Sequence, residues 1–324
     1  MSLILVFLDN DRGALSPSGP EAVTPALELA ETLGARLETV TVGEPGQAGL
    51  QQLGLAGHVV SHPILTDYAP EAYGEALAQL ADHTGASVLM TLGDDRGAEV
   101  MAHVAAVLNE PLVANVTEIT DASGGAEAAW EMIRVRWGGS LLERARLRSA
   151  RKLLTIAPHT FEPPESALGN PTAANTFAPD LAEHLARTRV VERVRLAEGL
   201  TLATAPVVVS GGRGVGSAEN FAILEELADL IGGVVGCSRV ATNNGWRPHS
   251  DQVGQTGTRI APDLYIACGI SGAVQHWVGC MASKQILAIN TDPEAPLVTK
   301  ADYAVIGDLH EILAAVIAEI KARN

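Results

Sequence analysis

The residue types that could do chemistry gather between positions 252 and 276 of the sequence. A glycine-bearing loop is followed there by the apolar run Leu264 to Cys268 and by the turn Gly269-Ile270-Ser271-Gly272. This order predicts a buried strand and a tight turn into a helix, whose first N–H groups and dipole favour an anion. Hydroxyl, amide and imidazole donors crowd the same place: Thr256, Ser271, Gln275 and His276. A phosphate site with such donors is typical of nucleotide or flavin binding.

An ordinary strand, turn and helix of an α/β sheet is the alternative interpretation of this stretch taken alone. Its neighbours favour a ligand site, because five strand-like apolar runs in the last hundred or so residues each end near a polar residue. The runs span 206–210, 234–237, 264–268, 285–289 and 303–307, and the polar residues are Arg213, Ser238, Ser271, Asn290 and Asp308. In an open parallel sheet the carboxyl ends of the strands share one edge, where ligands bind.

The N-terminal half shows strand and helix patterns in alternation. Strand-like runs at 3–8, 36–42, 87–92 and 112–116 alternate with helical spacing at 21–33, 70–83 and 97–108. This order predicts a parallel sheet covered by helices. The turn Gly93-Asp94-Asp95-Arg96-Gly97 follows one strand, but its two aspartates suit a helix cap better than a phosphate cradle.

Between Trp130 and Ala157 the hydrophobic period changes to two. We expect an antiparallel hairpin over this range, with arginines on one face: Arg134, Arg136, Arg144, Arg146 and Arg148. That face could contact an acidic partner or could simply be solvated. Residues 158–180 are rich in proline and predict an irregular connector.

Length and composition bound the class of protein. The chain has 324 residues, 47% of them hydrophobic, which favours two α/β domains, at 1–197 and 198–324, each with a mostly parallel sheet and covering helices. A formal charge of −16 argues against nucleic acid or an anionic membrane surface as the main partner. The three cysteines, the lack of a leader-like start and the lack of a long apolar run indicate a reduced, cytoplasmic protein without membrane insertion. No metal-binding pattern was identified.

Two common nucleotide fingerprints are absent. The run Gly212-Arg213-Gly214-Val215-Gly216 is followed by Ser217, so it is not G-x-G-x-x-G, and no P-loop motif occurs. Residues 208–309 instead closely resemble the C-terminal FAD domain of the electron transfer flavoprotein α-subunit family. The resembling pieces are VSGGRG (209–214), CSR (237–239), QVGQTG (252–257), PDLYIACGISGAVQH (262–276), AINTDPEAP (288–296) and ADYAVIGDL (301–309). Residues 1–197 resemble the family's first domain only loosely.

The resemblance implies a Rossmann-like FAD-binding domain and a role for each matching residue. The pyrophosphate and adjoining parts of FAD would be held by Arg213, Ser271, Gly272, Ala273, Val274, Gln275 and His276. The adenosine end would contact Asn290, Asp308 and Leu309. The ribityl chain and the ring system would be surrounded by Ser238, Arg239, Val253, Gly254, Gln255, Thr256 and His276.

The residue types agree with those roles. A flavin that gains negative charge on reduction needs cations and donors near its ring, and Arg239, His276 and Thr256 supply them. Each also has a structural interpretation: a surface ion pair for Arg239, a capped core imidazole for His276 and a turn hydroxyl for Thr256. Thr258 stands where the family often has lysine, so redox potentials of relatives do not transfer directly.

His276 is subject to two opposing effects. A helix N-terminus disfavours imidazolium, whereas negative charge on a bound flavin favours it. We therefore expect a largely neutral His276 beside oxidised FAD, with a proton or a stronger hydrogen bond gained when the flavin becomes more negative.

The resemblance implies a subunit of an electron carrier with no catalytic residues. FAD would take electrons from flavin dehydrogenases and pass them to a quinone oxidoreductase or another acceptor. The partner would be the family's β-subunit, which completes the flavin pocket and carries AMP or a second FAD. Two alternatives remain at this stage: a stand-alone oxidoreductase that uses FAD or NAD on the same sheet topology, and a non-redox nucleotide sensor.

Overall fold

The computed structural model describes residues 2–11, 14–43, 50, 53–164, 168, 174–191 and 200–323. The chain divides into two compact units, Met1–Trp137 with Leu141–Arg195, and Gly138–Ser140 with Leu196–Asn324. The domain boundary predicted at 197/198 lies outside the described residues. Part of the predicted connector, residues 165–167 and 169–173, also lies outside them.

The first unit is built on a nine-stranded sheet within the described residues. Its strands are β1 (Leu3–Phe7), β4 (Arg36–Val42), β5 (Gly57–Val60), β6 (Val88–Leu92), β7 (Leu112–Asp121), β8 (Trp130–Arg136), β9 (Leu141–Leu147), β10 (Lys152–Ile156) and β11 (Asn175–Phe177), while β2 (Asn10–Asp11) and β3 (Ala14–Leu15) pair separately. The spatial order is β11-β5-β4-β1-β6-β10-β7-β8-β9. Within the described part of this sheet, the antiparallel pairs are β7 with β8 and β8 with β9.

Helices cover this sheet, as predicted: α1 (Val23–Leu33), α2 (Pro70–Thr84) and α3 (Asp95–Leu108). Central strands such as β1 are buried along their whole length, because a parallel strand between two helical layers meets apolar neighbours on both faces. Helix α1 ends at Gly34 and α2 at Gly85, both in the left-handed conformation that glycine adopts without steric cost. The helical spacing predicted up to residue 33 thus ends where α1 ends.

The prediction of one hairpin from Trp130 to Ala157 is partly wrong. Strands β8 and β9 form the antiparallel hairpin, but β10 leaves it and runs parallel between β6 and β7. Its sequence, KLLTI, is buried at every position. A strand that is buried on both faces and rich in leucine and isoleucine is typical of the centre of a parallel sheet rather than of a half-exposed hairpin. The buried Lys152 ammonium donates to the Ser149 carbonyl, and burial lowers the pKa of Lys152.

The basic face of the hairpin is partly compensated by its own strands. Arg134 and Arg136 both lie within ion-pair distance of Glu143 on the neighbouring strand, at 3.1 and 3.2 Å. Arg144 and Arg146 are exposed. A solvated strand face therefore accounts for these arginines.

The second unit contains a five-stranded, fully parallel sheet within the described residues. Its strands are β12 (Val207–Gly211), β13 (Val234–Cys237), β14 (Leu264–Cys268), β15 (Gln285–Asn290) and β16 (Tyr303–Ile306), in the order β13-β12-β14-β15-β16. The helices are α4 (Ala222–Leu230), α5 (Arg239–Asn243), α6 (Val274–Cys280) and α7 (Leu309–Arg323). The chain progresses in opposite directions on the two sides of β12, so the switch point lies between β12 and β14.

Two apolar clusters cover the two faces of this sheet. One packs α4 and α7 against strand residues such as Val209, Ile266 and Ile289, and the other contains Val208, Tyr265 and Ile286. The three cysteines are free and buried, and burial raises the pKa of each thiol to about 12. Such thiols are structural rather than reactive. The fold class predicted from the sequence, α/β with parallel sheets and covering helices, is confirmed.

The cap at Asp94 supplies a stability prediction. Its carboxylate accepts a 2.7 Å hydrogen bond from the Gly97 N–H, as predicted for an N-cap. Asp94→Ala should lower the free energy of unfolding by about 1 kcal/mol, whereas Asp94→Ser should retain most of it. Asp95→Ala is the matched control, because Asp95 is an exposed neighbour of equal charge. Urea denaturation measures all three, and an equal loss in Asp94→Ala and Asp95→Ala would contradict the capping role.

Candidate functional site

A cavity of about 680 Å³ opens at the carboxyl edge of the second unit's sheet. It lies at the switch point and is within the range typical of cofactor pockets. Its walls come from the segments that follow β12 to β16: Arg213, Gly214, Ser238, Arg239, Val240, Asn243, Gln252, Val253, Gly254, Gln255, Thr256, Gly269, Ile270, Ser271, Gly272, Ala273, Gln275, His276, Asn290, Thr291, Asp292, Ala295, Gly307, Asp308 and Leu309.

Of the site residues predicted from the sequence, only Val274 does not line this cavity. Its side chain is 52% exposed on the first turn of α6. The structure also adds wall residues that were not predicted, among them Gln252, Ile270 and Asp292. All three lie inside the pieces that carry the family resemblance, but none of them was assigned a role there.

Glycines give the cavity its backbone floor. Gly272 has φ +80°, and a Cβ there would lie 2.4 Å from the Cβ of Leu297. Gly269 has φ +63°, and a Cβ there would lie 2.7 Å from the Cα of Gly214. Both positions therefore require glycine for conformation and for space. The turn can in consequence bring its main chain up to a ligand.

Gln252 organises the side chains of the loop that was first identified in the sequence. Its side chain is buried, donates from Nε2 to the Thr256 hydroxyl at 2.9 Å and accepts from the Thr242 hydroxyl at 2.8 Å. Thr256 is therefore held at the cavity wall through a buried amide. A turn hydroxyl alone would have been free to rotate.

Asn290 and Asp308 have structural bonds as well as positions in the wall. The Asn290 amide donates to the Ile270 carbonyl at 3.1 Å, which ties β15 to the turn after β14. The Asp308 carboxylate accepts from the His310 N–H at 2.8 Å and caps α7. Both residues thus fix the edge of the cavity at the ends of β15 and β16.

His276 is buried, with 7% of its surface exposed, and lies behind the loop of Gln252. Its Nε2 lies 2.7 Å from the Tyr265 hydroxyl, while its Nδ1 makes no hydrogen bond with any described residue. Burial lowers the pKa of His276 to about 4, and the nearby backbone of Val253 offsets only part of that effect. The imidazole is therefore neutral near pH 7, because of burial rather than the helix dipole expected from the sequence.

Unused hydrogen-bonding capacity surrounds the cavity. Ser238 is also buried, and its hydroxyl has no partner among the described residues. Arg213 and Arg239 are exposed wall residues that form no ion pair within the described part of the chain. Two uncommitted cations and two orphaned polar atoms are what an anionic, hydrogen-bonding ligand requires.

Comparison with known proteins agrees with this arrangement. Residues 201–281 match the family model for the electron transfer flavoprotein FAD-binding domain, and residues 4–167 match that for the electron transfer flavoprotein domain. The electron transfer flavoprotein subunit alpha of Mycobacterium tuberculosis is 35% identical over 330 residues, with 100% of both chains covered. The chain belongs to the electron transfer flavoprotein α-subunit family.

Other relatives in this family span nearly the whole chain. The corresponding subunit of Thermoanaerobacterium thermosaccharolyticum is 33% identical over 98% of this chain and 97% of its own length. The protein FixB of Bradyrhizobium diazoefficiens is 35% identical over 99% of this chain and 89% of its own length. The loose resemblance noted for the first domain is thus part of a family match along the chain.

Thr258, the departure from the electron transfer flavoprotein pattern, lies beside the cavity loop and not in its wall. Its N–H donates to the Gln252 carbonyl at 2.7 Å and its carbonyl accepts from the Gly254 N–H at 3.2 Å. Its backbone therefore closes the loop that carries Thr256.

Among the described residues, no helix combines the length and apolar character needed to cross a membrane. The same residues contain no group of three or more His, Cys, Asp or Glu side chains suited to a metal ion.

The pKa of His276 predicts an acid-linked loss of stability. Between pH about 6.5, the ordinary value, and about 4, the folded value, the unfolded chain binds a proton at His276 that the folded chain does not. Stability should therefore fall as the pH drops through this window, by about 3 kcal/mol in all from this group. Urea denaturation of the flavin-free chain measures it.

His276→Gln provides the comparison for that measurement, since glutamine cannot titrate. The variant should lose less stability than the wild type between pH 6.5 and pH 4. Parallel pH profiles for the two proteins would contradict a neutral, buried His276.

Proposed function

We propose that the cavity binds FAD and that the chain is the α-subunit of a heterodimeric electron carrier. The observation that carries the proposal is the pair of uncommitted arginines, Arg213 and Arg239, on a cavity that also contains the orphaned atoms of Ser238 and His276. FAD would present to such groups both a pyrophosphate and the hydrogen-bond acceptors of its ring, N1, the C2 carbonyl oxygen and N5. The FAD-binding domain match over residues 201–281 supports the same ligand.

The wall residues suit different parts of FAD. The backbone turn from Ser271 to Ala273, with Arg213 beside it, offers N–H groups and a cation to the pyrophosphate. Asn290, Asp308 and Leu309 would flank the adenosine end. The ring would lie against Ser238, Arg239, His276 and the loop from Val253 to Thr256, a set rich in donors. Val274, which is outside the wall, has no role in this assignment.

When bound, FAD supplies one- and two-electron redox chemistry. The chain's own residues bind and orient it. Arg239 at the exposed rim favours negative charge on the ring, whereas the buried His276 and Ser238 can offer hydrogen bonds without charge. No residue is assigned an acid or base role toward a substrate, so the protein would carry electrons rather than transform a substrate.

A partner subunit is part of the proposal. The tip of the β8–β9 hairpin exposes Trp137, Leu141 and Leu142 to 78%, 55% and 71%, and exposed apolar clusters of this kind mark protein contacts. The relatives named subunit alpha support a β-subunit as the partner. In this proposal, the β-subunit carries AMP or a second FAD. Electrons would come from flavin dehydrogenases and go to a quinone oxidoreductase or another acceptor.

The first test of the proposed function is the flavin content of the purified protein. Expressed with the product of a neighbouring β-subunit gene, the chain should purify as a yellow heterodimer with about one FAD at this cavity. Expressed alone, it should bind less flavin, because part of the pocket is missing. A colourless heterodimer would contradict the proposal that the cavity binds FAD. A stable monomer with a full complement of flavin would contradict the proposal of a heterodimer.

Arg239 provides a second test. Arg239→Ala should lower the midpoint potential of the bound flavin, by an amount on the order of tens of millivolts, because a cation near a group that gains negative charge is lost. Arg239→Lys should restore only part of the lost potential, because an ammonium group lacks the planar, forked set of N–H donors of a guanidinium. Arg259→Ala is the control, because Arg259 is exposed, loses the same charge and is outside the cavity wall. Potentials that fall equally in Arg239→Ala and Arg259→Ala would place Arg239 outside the flavin environment.

A further inference from the structure

A buried phenol and a buried imidazole stand one behind the other at the cavity. Tyr265 of β14 is fully buried, and its hydroxyl oxygen lies 2.7 Å from Nε2 of His276. The two rings are tilted by 34° with centroids 6.2 Å apart. His276 lines the cavity and Tyr265 does not. The imidazole therefore separates the phenol from any ligand.

Two proton arrangements could make the bond between these side chains. Either the Tyr265 O–H donates to a bare Nε2, or a protonated Nε2 donates to the Tyr265 oxygen. In the second case the phenol proton would need another acceptor inside the core. The Ser210 hydroxyl is the other polar neighbour, and it makes no hydrogen bond of ordinary geometry with a described residue. Although burial dominates and raises the pKa of Tyr265, the Ser210 hydroxyl acts to lower it, as a donor to the phenol oxygen does and an acceptor of the phenol proton does not. A buried donor without an acceptor costs about 1–3 kcal/mol, so the first arrangement is favoured.

The charge states of both groups agree with that choice. Burial raises the pKa of Tyr265 well above its ordinary value, which keeps the phenol proton in place. Burial also lowers the pKa of His276 to about 4. A neutral imidazole has one proton, and if Nε2 accepts from Tyr265, that proton must be on Nδ1.

The groups packed around the pair supply no competing charge. The thiols of Cys237, Cys268 and Cys280 are the other titratable groups that influence Tyr265, and burial keeps them protonated. On the other side, the Val253 backbone near His276 favours a proton on the ring. The tautomer of His276 is thus determined by the Tyr265 hydroxyl and by the nearby backbone of Val253.

We propose that Tyr265 is a positioning residue that donates to Nε2 of His276 and holds the neutral ring as the Nδ1–H tautomer, so that the imidazole offers a hydrogen-bond donor on its free nitrogen. This inference rests on the proposed function for the identity of the ligand, a flavin ring whose nitrogen and carbonyl atoms accept hydrogen bonds. In this arrangement a buried, neutral His276 still supplies a hydrogen-bond donor, its Nδ1–H. Without the Tyr265 hydroxyl, a neutral histidine favours the Nε2–H tautomer. Nδ1 would then have a lone pair and could only accept a hydrogen bond.

The tautomer can be measured without any ligand. The full chain with its partner subunit, labelled with ¹⁵N-histidine and freed of flavin, should show for His276 a protonated Nδ1 and a bare Nε2 between pH 6 and pH 8. His276→Gln assigns the signals by their loss. In Tyr265→Phe, which removes only the hydroxyl, the pattern should shift toward protonated Nε2. A protonated Nε2 in the wild type, or an unchanged pattern in Tyr265→Phe, would overturn the proposal.

A double-mutant cycle on FAD affinity tests whether Tyr265 acts through His276. Tyr265→Phe should raise the Kd for FAD about fivefold, which corresponds to one neutral hydrogen bond. In the His276→Gln background, the same substitution should change the Kd less than about twofold, because its target is gone. Tyr303→Phe is the matched control, since Tyr303 is a 58% exposed tyrosine on β16, outside the cavity wall, and should leave the Kd unchanged.

The outcomes separate this inference from the proposed function. If the wild type binds no FAD, the proposed function fails while the ¹⁵N pattern still decides the tautomer. If FAD binds, and Tyr265→Phe weakens FAD binding equally in the wild type and in His276→Gln, then Tyr265 does not act through His276 and the inference fails. A Tyr265→Phe protein that does not fold leaves the wild-type ¹⁵N pattern as the deciding measurement.

Discussion

The cavity depends on the contact of two backbone turns at the switch point of the second sheet. The N–H of Gly214 donates to the Gly269 carbonyl at 3.0 Å, and the Gly212 N–H donates to the Cys268 carbonyl at 2.9 Å. A Cβ at Gly212 would lie 2.4 Å from the Gly269 oxygen. Side chains would hold the turns apart, so the glycines permit the bonds. Arg213 is fixed at the rim between them, and the turn to Ser271 starts from the same contact.

The net charge of the chain is −16, but the basic residues of the second unit are not all paired with acidic ones among the described residues. Several basic residues away from the cavity are matched to acidic partners: Arg247 with Glu225 and Asp251, Lys284 with Asp263, Lys321 with Glu226 and Arg323 with Glu319. The two arginines of the cavity wall have no such partner among the described residues. An acidic surface disfavours contact with anions in general, whereas cations without an acidic partner attract an anion locally.

Most of the cavity was predictable because its residues lie where strand ends must meet. Parallel strands put Ser238, Ser271 and Asn290 at one edge whatever the details of packing. Val274, predicted to lie at the pyrophosphate, is not part of the cavity wall, because a side chain on the first turn of a helix can point away from the turn that precedes it. No motif fixes that direction, since it depends on how α6 packs on the sheet.

The two features that the sequence did not reveal have a common physical cause. Strand β10 was assigned to the hairpin because the alternating arginines before it set a period of two, although Leu153, Leu154 and Ile156 of β10 do not follow that period. The bond between Tyr265 and His276 joins residues eleven positions apart, and the burial that sets the charge of His276 comes from the whole core. Local patterns report local geometry, whereas burial is a property of the assembled sheet and helices.

Burial also explains why the site divides its donors by charge. A cation in the buried part of the cavity would lose its hydration, and the low pKa of His276 shows that the core does not support one there. At the exposed rim, the guanidinium groups of Arg213 and Arg239 stay in contact with water. The interior must therefore contact a ligand through neutral groups such as the Ser238 hydroxyl and the His276 imidazole. A neutral imidazole is a donor or an acceptor according to its tautomer, so the direction of one phenol hydrogen bond determines which of the two the interior offers.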